Sequence, residues 1–250
     1  MVGATASPLA VDGDASLADY WRFQRAVATA QLAAWLPVDQ RFLVDISGPH
    51  SRCDAQAARA GHNVLRVSTE PPTAGPRPGS EPGGVATVTA DPGSLGFLAD
   101  GCADGVIADD RTLSRYIAAE YLVAEIARVL RPGGRLLASV DSLVLGMAIL
   151  AEQHHWAELT DVPSAEVLLI PWPDGTFTRC YGAAHLQDLC AEAGLEPGLV
   201  RPRTVLSPSM VTRVLHRDPK AMSRLVQAEL TADADESVGI QLVVMARKPA

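Results

Sequence analysis

The chain has 250 residues, 48% of them hydrophobic and 20% charged, which is the balance of a globular protein rather than a disordered or fibrous one. Its formal net charge of -8 opposes binding to nucleic acid, whose phosphates attract basic surfaces. The apolar runs are too short to span a bilayer, and the first residues lack the pattern of a secretory signal, so we expect a cytoplasmic protein without a membrane segment.

The first predicted elements form a βαβ unit behind an N-terminal helix. Apolar residues recur at helical spacing from Ser16 to Leu36, and a continuous apolar run at 42–46 predicts a buried strand. A helix over 53–62, with Gly61 at its end, and a strand at 63–68 follow. We therefore expect a parallel strand pair with a right-handed crossover.

The next stretch continues the alternation of strands and helices. Residues 71–84 are rich in proline and glycine and predict a loop. Strands are predicted at 85–89, 105–108 and 135–140, with a helix at 117–130 and an Arg-Pro-Gly-Gly turn at 131–134. This alternation predicts an α/β fold with a doubly wound sheet.

The pattern changes after residue 140. A helix over 143–158 precedes two β-like runs around a Pro-Asp-Gly turn, which predict a hairpin within 167–182. The remaining predictions are a helix at 183–193, a strand at 199–205, Ser207 as an N-cap followed by Pro208, two short helices and a last strand at 240–246.

One domain is expected from this organisation. It consists of an N-terminal helical lid at 16–37, a first half of the sheet at 38–140, a cap insertion at 141–182 and a C-terminal half at 183–250. Six aromatic residues concentrate in the lid and the cap, where they either line an apolar ligand pocket or pack the cap onto the sheet: Tyr20, Trp21, Trp156, Trp172, Phe177 and Tyr181.

The four cysteines are scattered along the chain without the spacing of metal ligands. Cys53, Cys102, Cys180 and Cys190 include no CxxC pair, so we predict no metal site and expect buried, small apolar side chains.

Ligands of an open parallel sheet bind outside the carboxyl ends of its strands. The loop after the first strand contains Asp45, Ser47, Gly48 and Pro49 and leads into a helix, whose first N–H groups could bind a carboxylate. The single glycine fits an ordinary turn equally well, and this alternative stays open.

Four stretches together resemble the class I S-adenosylmethionine-dependent methyltransferases, especially their small-molecule, ubiquinone-biosynthesis-like branch. They are VDISGP at 44–49, GFLADGCADGVIADD at 96–110, EIARVLRPGGRLLASV at 125–140 and YGAAHLQDLCAEAGLEPGLV at 181–200. The resemblance implies a seven-stranded, mostly parallel sheet of order 3-2-1-4-5-7-6, with strand 7 antiparallel and helices on both faces.

The resemblance also implies S-adenosylmethionine as the cofactor. The first loop, with Asp45, Ser47, Gly48 and Pro49, would face its methionine end. Ser68 stands where an acid usually binds the ribose, and Glu70 could replace that acid. Asp91, beside Pro92, would meet the adenine, and Ala108 and Asp109 would flank the sulfonium. The family's first loop usually has two or three glycines, so this glycine loop is degenerate.

Four side chains are candidates for removing a proton from a methyl acceptor: Asp110, Tyr116, His154 and His155. For the two histidines a solvent-facing or capping role is the alternative, and Asp109 and Asp110 could cap the following helix.

The interpretation is a methyltransferase for a small-molecule acceptor, with secondary metabolism as the expected setting and no nucleic-acid or membrane partner. Two alternatives remain open. One is a binding or assembly protein that has lost transfer, and the other is an enzyme of the same fold with a different reaction. A homodimer is one of the open oligomeric states.

Overall fold

The computed structural model describes residues 17–48, 51–70, 83–172, 174–232 and 239–250. The helices are α1 (Ala18–Trp35), α2 (Cys53–Arg59), α3 (Ala119–Val129), α4 (Leu143–Glu152), α5 (Trp156–Asp161), α6 (Ala183–Glu192), α7 (Pro208–Arg217) and α8 (Met222–Thr231). The strands are β1 (Phe42–Asp45), β2 (Asn63–Ser68), β3 (Gly84–Thr89), β4 (Ala103–Ala108), β5 (Leu130–Ser142), β6 (Val167–Pro171), β7 (Phe177–Tyr181), β8 (Glu196–Pro202) and β9 (Gln241–Arg247). Most of the loop predicted at 71–84 lies outside the described residues.

The strands form one mixed sheet. β3, β2, β1, β4 and β5 are parallel neighbours in that order. β9 then pairs antiparallel with β5, and β8 pairs antiparallel with β9. The spatial order 3-2-1-4-5-9-8 is the predicted order 3-2-1-4-5-7-6 once the hairpin strands are left out of the numbering, so the doubly wound fold is confirmed.

The hairpin changes the number of strands. β6 and β7 pair antiparallel, as predicted, but β7 also joins the end of β5 through the pairs Asp141↔Cys180 and Ser142↔Tyr181. Within the described residues the sheet therefore has nine strands rather than seven. β5 is shared, because β9 pairs with residues 135–141 on one edge, while on the other edge β4 pairs with it up to Ala138 and β7 pairs with Asp141 and Ser142.

Both faces of the central strands are buried, which explains their continuous apolar runs. Successive residues point to opposite faces, so Leu43 packs with α1 and α2 whereas Val44 packs with α3 and α6. The same alternation holds for Val106 and Ile107 in β4. Burial on both sides fixes the register, and thereby the position of each loop at the carboxyl edge.

The N-terminal helix packs on the C-terminal helices as well as on the sheet. Phe23 and Val27 of α1 contact Val211 and Leu215 of α7 in a separate apolar cluster. The predicted N-cap of α7 is confirmed, since the Ser207 hydroxyl accepts a hydrogen bond from the Met210 N–H. The lid is thus a helical layer made from both ends of the chain.

Two local predictions were wrong. The helix expected over 143–158 is broken into α4 and α5, because His154 adopts a left-handed conformation with φ of 62°. The Arg-Pro-Gly-Gly stretch at 131–134 forms the irregular start of β5 rather than a separate turn, although Gly133 has the positive φ of 77° expected of a turn glycine.

The sequence predicts no membrane span and no metal site, and the described residues can be compared with both expectations. None of the described helices is both long and apolar enough to cross a bilayer. In the same part of the chain no group of three His, Cys, Asp or Glu side chains is placed to hold a metal ion. The four cysteines are free thiols, and three of them are buried.

Candidate functional site

The strand order reverses between β1 and β4, so the carboxyl ends of these strands define the crevice where ligands of open α/β sheets bind. Aspartates stand at or just after the ends of β1, β4 and β5, and each is paired with an arginine from elsewhere in the chain. The predicted cofactor residues Asp45, Ala108 and Asp109 all lie here.

Asp45 ends β1 and is completely buried. Its carboxylate accepts hydrogen bonds from Arg66 Nη1 at 2.8 Å and from the Ser47 N–H at 2.9 Å. The other Arg66 nitrogen, Nη2, donates to the Gly48 carbonyl at 2.8 Å. Burial raises the pKa of Asp45, although Arg66 and the Ser47 contacts oppose the shift. Asp45 therefore holds the first loop in place through Arg66.

Asp109 follows β4 and forms a second buried pair. Its carboxylate binds both terminal nitrogens of Arg203 and accepts from the Ser139 hydroxyl at 2.7 Å. Burial alone would raise the pKa of Asp109, but Arg203, the Ser139 hydroxyl and the Asp110 N–H lower it overall. Asp109 is thus held as a carboxylate.

The Cys53 thiol lies 3.6 Å from Asp109 and has an unreactive environment. Burial raises its pKa, and the charges of Asp109 and Asp45 raise it further. Cys53 therefore stays a thiol at neutral pH and is a poor nucleophile.

Asp110 pairs with Arg115 at 3.1 Å, and this pair lies directly over Gly48. A Cβ atom added at Gly48 would lie 2.1 Å from Asp110 Oδ2 and 2.6 Å from Arg115 Nη1. The space that the glycine leaves open is therefore filled by these two side-chain ends. Both are about one quarter exposed.

The fourth pair joins the end of β4 to the end of β5. Arg111 Nε lies 2.7 Å from Asp141 Oδ1, and both side chains are buried. Arg111 and Asp110 both have positive φ, at 63° and 55°, so the chain turns sharply after β4 to aim these side chains.

Hydrogen bonds also tie the loops after β1 and β4 to each other. The Gly48 N–H donates to the Asp109 carbonyl at 3.2 Å, and the Asp109 N–H donates to the Ser47 hydroxyl at 3.0 Å. The Thr112 hydroxyl lies within hydrogen-bond distance of the Ile46 carbonyl, at 3.2 Å. The crevice between the two strands is therefore bridged by the protein itself.

Asp91 and Tyr116 are brought together beside this crevice. The Tyr116 hydroxyl donates to Asp91 Oδ1 at 3.1 Å, and its ring packs against Gly93. Asp91 also accepts from the Gly93 N–H at 2.8 Å, and Pro92 lies in the same turn. Burial raises the pKa of Tyr116, and the charge of Asp91 raises it further. The Tyr116 hydroxyl therefore keeps its proton at neutral pH.

The two residues predicted near the ribose lie at the end of β2. The Ser68 hydroxyl accepts from the Glu70 N–H at 3.2 Å, and the exposed Glu70 carboxylate has no partner among the described residues. Glu70 is thus an available acid at the carboxyl edge.

The structure does not bring the histidines to this cluster. His154 and His155 are exposed in the connection after α4. The helix α4 begins directly after β5 and is ten residues, or about 15 Å, long, so it separates both histidines from the end of β5. His155 lies 3.7 Å from Glu158, and His154 lies near Trp156. Pro49 lies outside the described residues.

A cavity of about 280 Å³ opens beside Asp109 and Asp110. Its wall includes Arg25 and Thr29 of α1, and Arg52 just before α2. The predicted aromatic wall is mostly elsewhere: Tyr20 packs in the α1 and α7 cluster, and Tyr181 is buried with its hydroxyl donating to the Leu113 carbonyl. The described cavity is lined mostly by polar residues, together with Ala28 and Cys53.

The sequence interpretation missed the arginines Arg66, Arg115 and Arg203. Arg66 had a visible signal, since it is a charged residue inside the otherwise apolar strand run NVLRVS. A charge in a strand buried on both faces requires a partner. Arg203 had a signal of the same kind, since it lies inside the strand predicted at 199–205.

The residues present fit the ribose and adenine of S-adenosylmethionine and conflict with its amino-acid end. Glu70 and Asp91 offer carboxylates at the ends of β2 and β3, and the cavity opens beside Asp109. Over Gly48, however, the side chains of Asp110 and Arg115 occupy the space that close approach to the backbone requires. This pair has to move aside for the cofactor to reach the loop.

Comparison with known proteins gives matches among solved structures only. No family model matches the chain, and no curated protein matches its sequence. The Burkholderia thailandensis 1,6-didemethyltoxoflavin-N1-methyltransferase, solved with S-adenosylhomocysteine, is 20% identical, with a TM-score of 0.57 over 93% of this chain and 82% of that one.

Two further solved structures are similar in fold to this chain. A Mesorhizobium loti S-adenosylmethionine-dependent methyltransferase is 17% identical, with a TM-score of 0.54 over 90% of this chain and 100% of that one. The [4+2]-cyclase SpnF is 18% identical, with a TM-score of 0.54 over 91% and 81%. This chain has the fold of the class I S-adenosylmethionine-dependent methyltransferases.

Proposed function

We propose that this protein is an S-adenosylmethionine-dependent methyltransferase that acts on a small-molecule acceptor. The observation that carries the proposal is the cavity of about 280 Å³, which opens beside Asp109 and Asp110 at the point where the strand order reverses. A cavity of this size suits part of a small molecule rather than a polymer.

The cofactor would be held by groups from four strand ends. The backbone around Gly48 and the Ala108–Asp109 peptide would meet its amino-acid and sulfonium region, Glu70 the ribose hydroxyls, and Asp91 the adenine. When bound, the cofactor supplies an activated methyl group. The protein's contribution is to orient the acceptor and exclude water, which together provide much of the acceleration in such displacements.

Of the four predicted proton acceptors, Asp110 is the best placed. It borders the cavity, whereas His154 and His155 lie beyond α4. Tyr116 keeps its proton and donates a hydrogen bond to Asp91, so it serves to position that carboxylate. We therefore assign Asp110 the role of accepting a proton from the acceptor.

The Asp110–Arg115 pair over Gly48 is a small energetic obstacle. A partly exposed ion pair contributes about 0–1 kcal/mol. Binding at micromolar affinity corresponds to about 8 kcal/mol. Displacing the pair would therefore cost only a small fraction of the binding free energy.

A second candidate is a binding protein that does not transfer a methyl group. It is favoured by the direct hydrogen bonds between Gly48 and Asp109 and between Ser47 and Asp109, which bridge the crevice. The glycine-loop region also carries four residues with side chains in this sequence, Ser47, Pro49, His50 and Ser51.

Calorimetric titration with S-adenosylmethionine and S-adenosylhomocysteine distinguishes the two candidates. We expect micromolar binding that Asp91→Asn weakens about tenfold, because the carboxylate is lost while the amide oxygen can still accept the Gly93 N–H. Asp174→Asn is the matched control, since Asp174 also accepts an N–H two residues on, in the exposed hairpin turn. Absence of binding to either ligand would refute methyl transfer and leave the second candidate.

A further inference from the structure

The cavity beside Asp109 has an unusual charge for this protein. Its wall contains four arginines, Arg25, Arg52, Arg59 and Arg203, and two carboxylates, Asp109 and Asp110. The chain as a whole has a net charge of -8. A positive cavity in a negative protein concentrates anions locally, because clefts focus the field of the charges that line them.

The carboxylates in the wall do not neutralise the outer arginines. Asp109 is bound by Arg203, and Asp110 is bound by Arg115, which lies outside the cavity wall. No carboxylate of the described residues forms an ion pair with Arg25, Arg52 or Arg59. Arg59 donates its Nε to the Ala55 carbonyl, whereas Arg25 and Arg52 make no side-chain hydrogen bond within the described residues.

A second observation comes from the floor of the cavity. Arg203 is only 5% exposed, and its two terminal nitrogens are used by Asp109. Its Nε is buried and has no hydrogen-bond partner in the described part of the chain. Buried donors are normally paired, so this nitrogen is an unsatisfied donor in a side chain that lines the cavity.

We infer that this cavity binds the carboxylate or phosphate group of a small anionic ligand, with Arg25 and Arg52 as its contacts. Guanidinium groups suit this role because their planar donors match the oxygens of both anions. The inference rests on the proposed function in one respect, since it makes the ligand a negatively charged methyl acceptor. The anion site itself can be tested without the cofactor.

The first experiment is calorimetric titration with citrate and with inorganic phosphate in a low-salt buffer. We expect binding that falls at least about tenfold in the double variant Arg25→Gln/Arg52→Gln, because two charge-assisted hydrogen bonds are lost. The matched control is Arg22→Gln/Arg217→Gln, which removes the same charge from α1 and α7 outside the cavity and should stay within about twofold. No binding of either anion, or an equal loss in both double variants, would overturn the anion site.

The second experiment repeats the citrate titration with saturating S-adenosylhomocysteine. Unchanged or tighter citrate binding assigns the anion to the acceptor. Loss of citrate binding shows that the arginines hold the cofactor's own carboxylate and overturns the acceptor assignment. Citrate binding in a protein that does not bind S-adenosylhomocysteine would refute methyl transfer while the anion site stands.

Discussion

Asp109 and Asp110 are neighbours after the same strand, and each is paired with an arginine, yet the two pairs differ in their exposure to water. The side chains of Asp109 and Arg203 are 13% and 6% exposed, whereas those of Asp110 and Arg115 are 26% and 27% exposed. The enclosed pair connects the end of β4 to the end of β8 and so ties two parts of the sheet together. The shallow pair connects residues only five positions apart. Of these two adjacent residues, Asp109 therefore has a structural role, whereas Asp110 can change its contacts when a ligand binds.

The largest expected effect comes from removing the arginine of the enclosed pair. Arg203→Met leaves the Asp109 carboxylate buried without its counter-charge, and we expect a loss of about 3–5 kcal/mol in the free energy of unfolding. Urea denaturation monitored by circular dichroism measures this loss. Arg115→Met is the matched control and should cost less than about 1 kcal/mol. Similar losses in the two variants would mean that the difference in burial does not determine how much each ion pair contributes to stability.

A smaller effect is expected from pH. In the wild type the pKa of Asp109 is lowered on folding, so its contribution to stability is present above the unfolded pKa of about 3.9 and is lost as the pH falls through the folded pKa. Without Arg203, burial instead favours the protonated form of Asp109. We therefore expect the stability gap between wild type and Arg203→Met to narrow by roughly 1–2 kcal/mol between pH 7 and pH 4.

Denaturation at the two pH values checks this expectation, because the contributions of the other acids are shared by both proteins and cancel in the difference. A gap that widens as the pH falls would show that Asp109 is not the group responsible.

The smallest effect concerns the shallow pair and ligand binding. Arg115→Ala removes the side chain that holds Asp110 over Gly48, so we expect the affinity for S-adenosylhomocysteine to rise by up to about fivefold, the equivalent of about 1 kcal/mol. Calorimetric titration measures the change. Weaker binding in this variant would mean that Arg115 contacts the ligand rather than blocking its approach.

The sequence predicted the fold well because its signals are local and repeated. Continuous apolar runs located the central strands, and Ser207 with Pro208 located the start of α7. The break in the predicted helix at 143–158 was missed, because it depends on the left-handed backbone conformation of His154. The spacing of apolar residues along the chain does not reveal such a conformation.

The candidate site was predicted only in part. The aspartates could be placed because each follows a recognisable strand, but their partners could not, since Arg66 and Arg203 lie 21 and 94 positions from Asp45 and Asp109. Pairing at such distances depends on how the strands assemble. The charge of the cavity follows from the same assembly, because its arginines come from α1, the loop before α2, α2 itself and the segment after β8.

The strand β5 has a consequence for how this architecture can vary in evolution. It is held along residues 135–141 by β9 and along 130–138 by β4, and only its last two residues pair with the hairpin. The segment from α4 to β6 is therefore an appendage on the ladder that β4, β5, β9 and β8 form, whereas Tyr181 of β7 is buried in the main core. Insertions, deletions or exchange of that appendage would leave the ladder beneath it intact, so natural selection can rework the cap without rebuilding the protein that carries it.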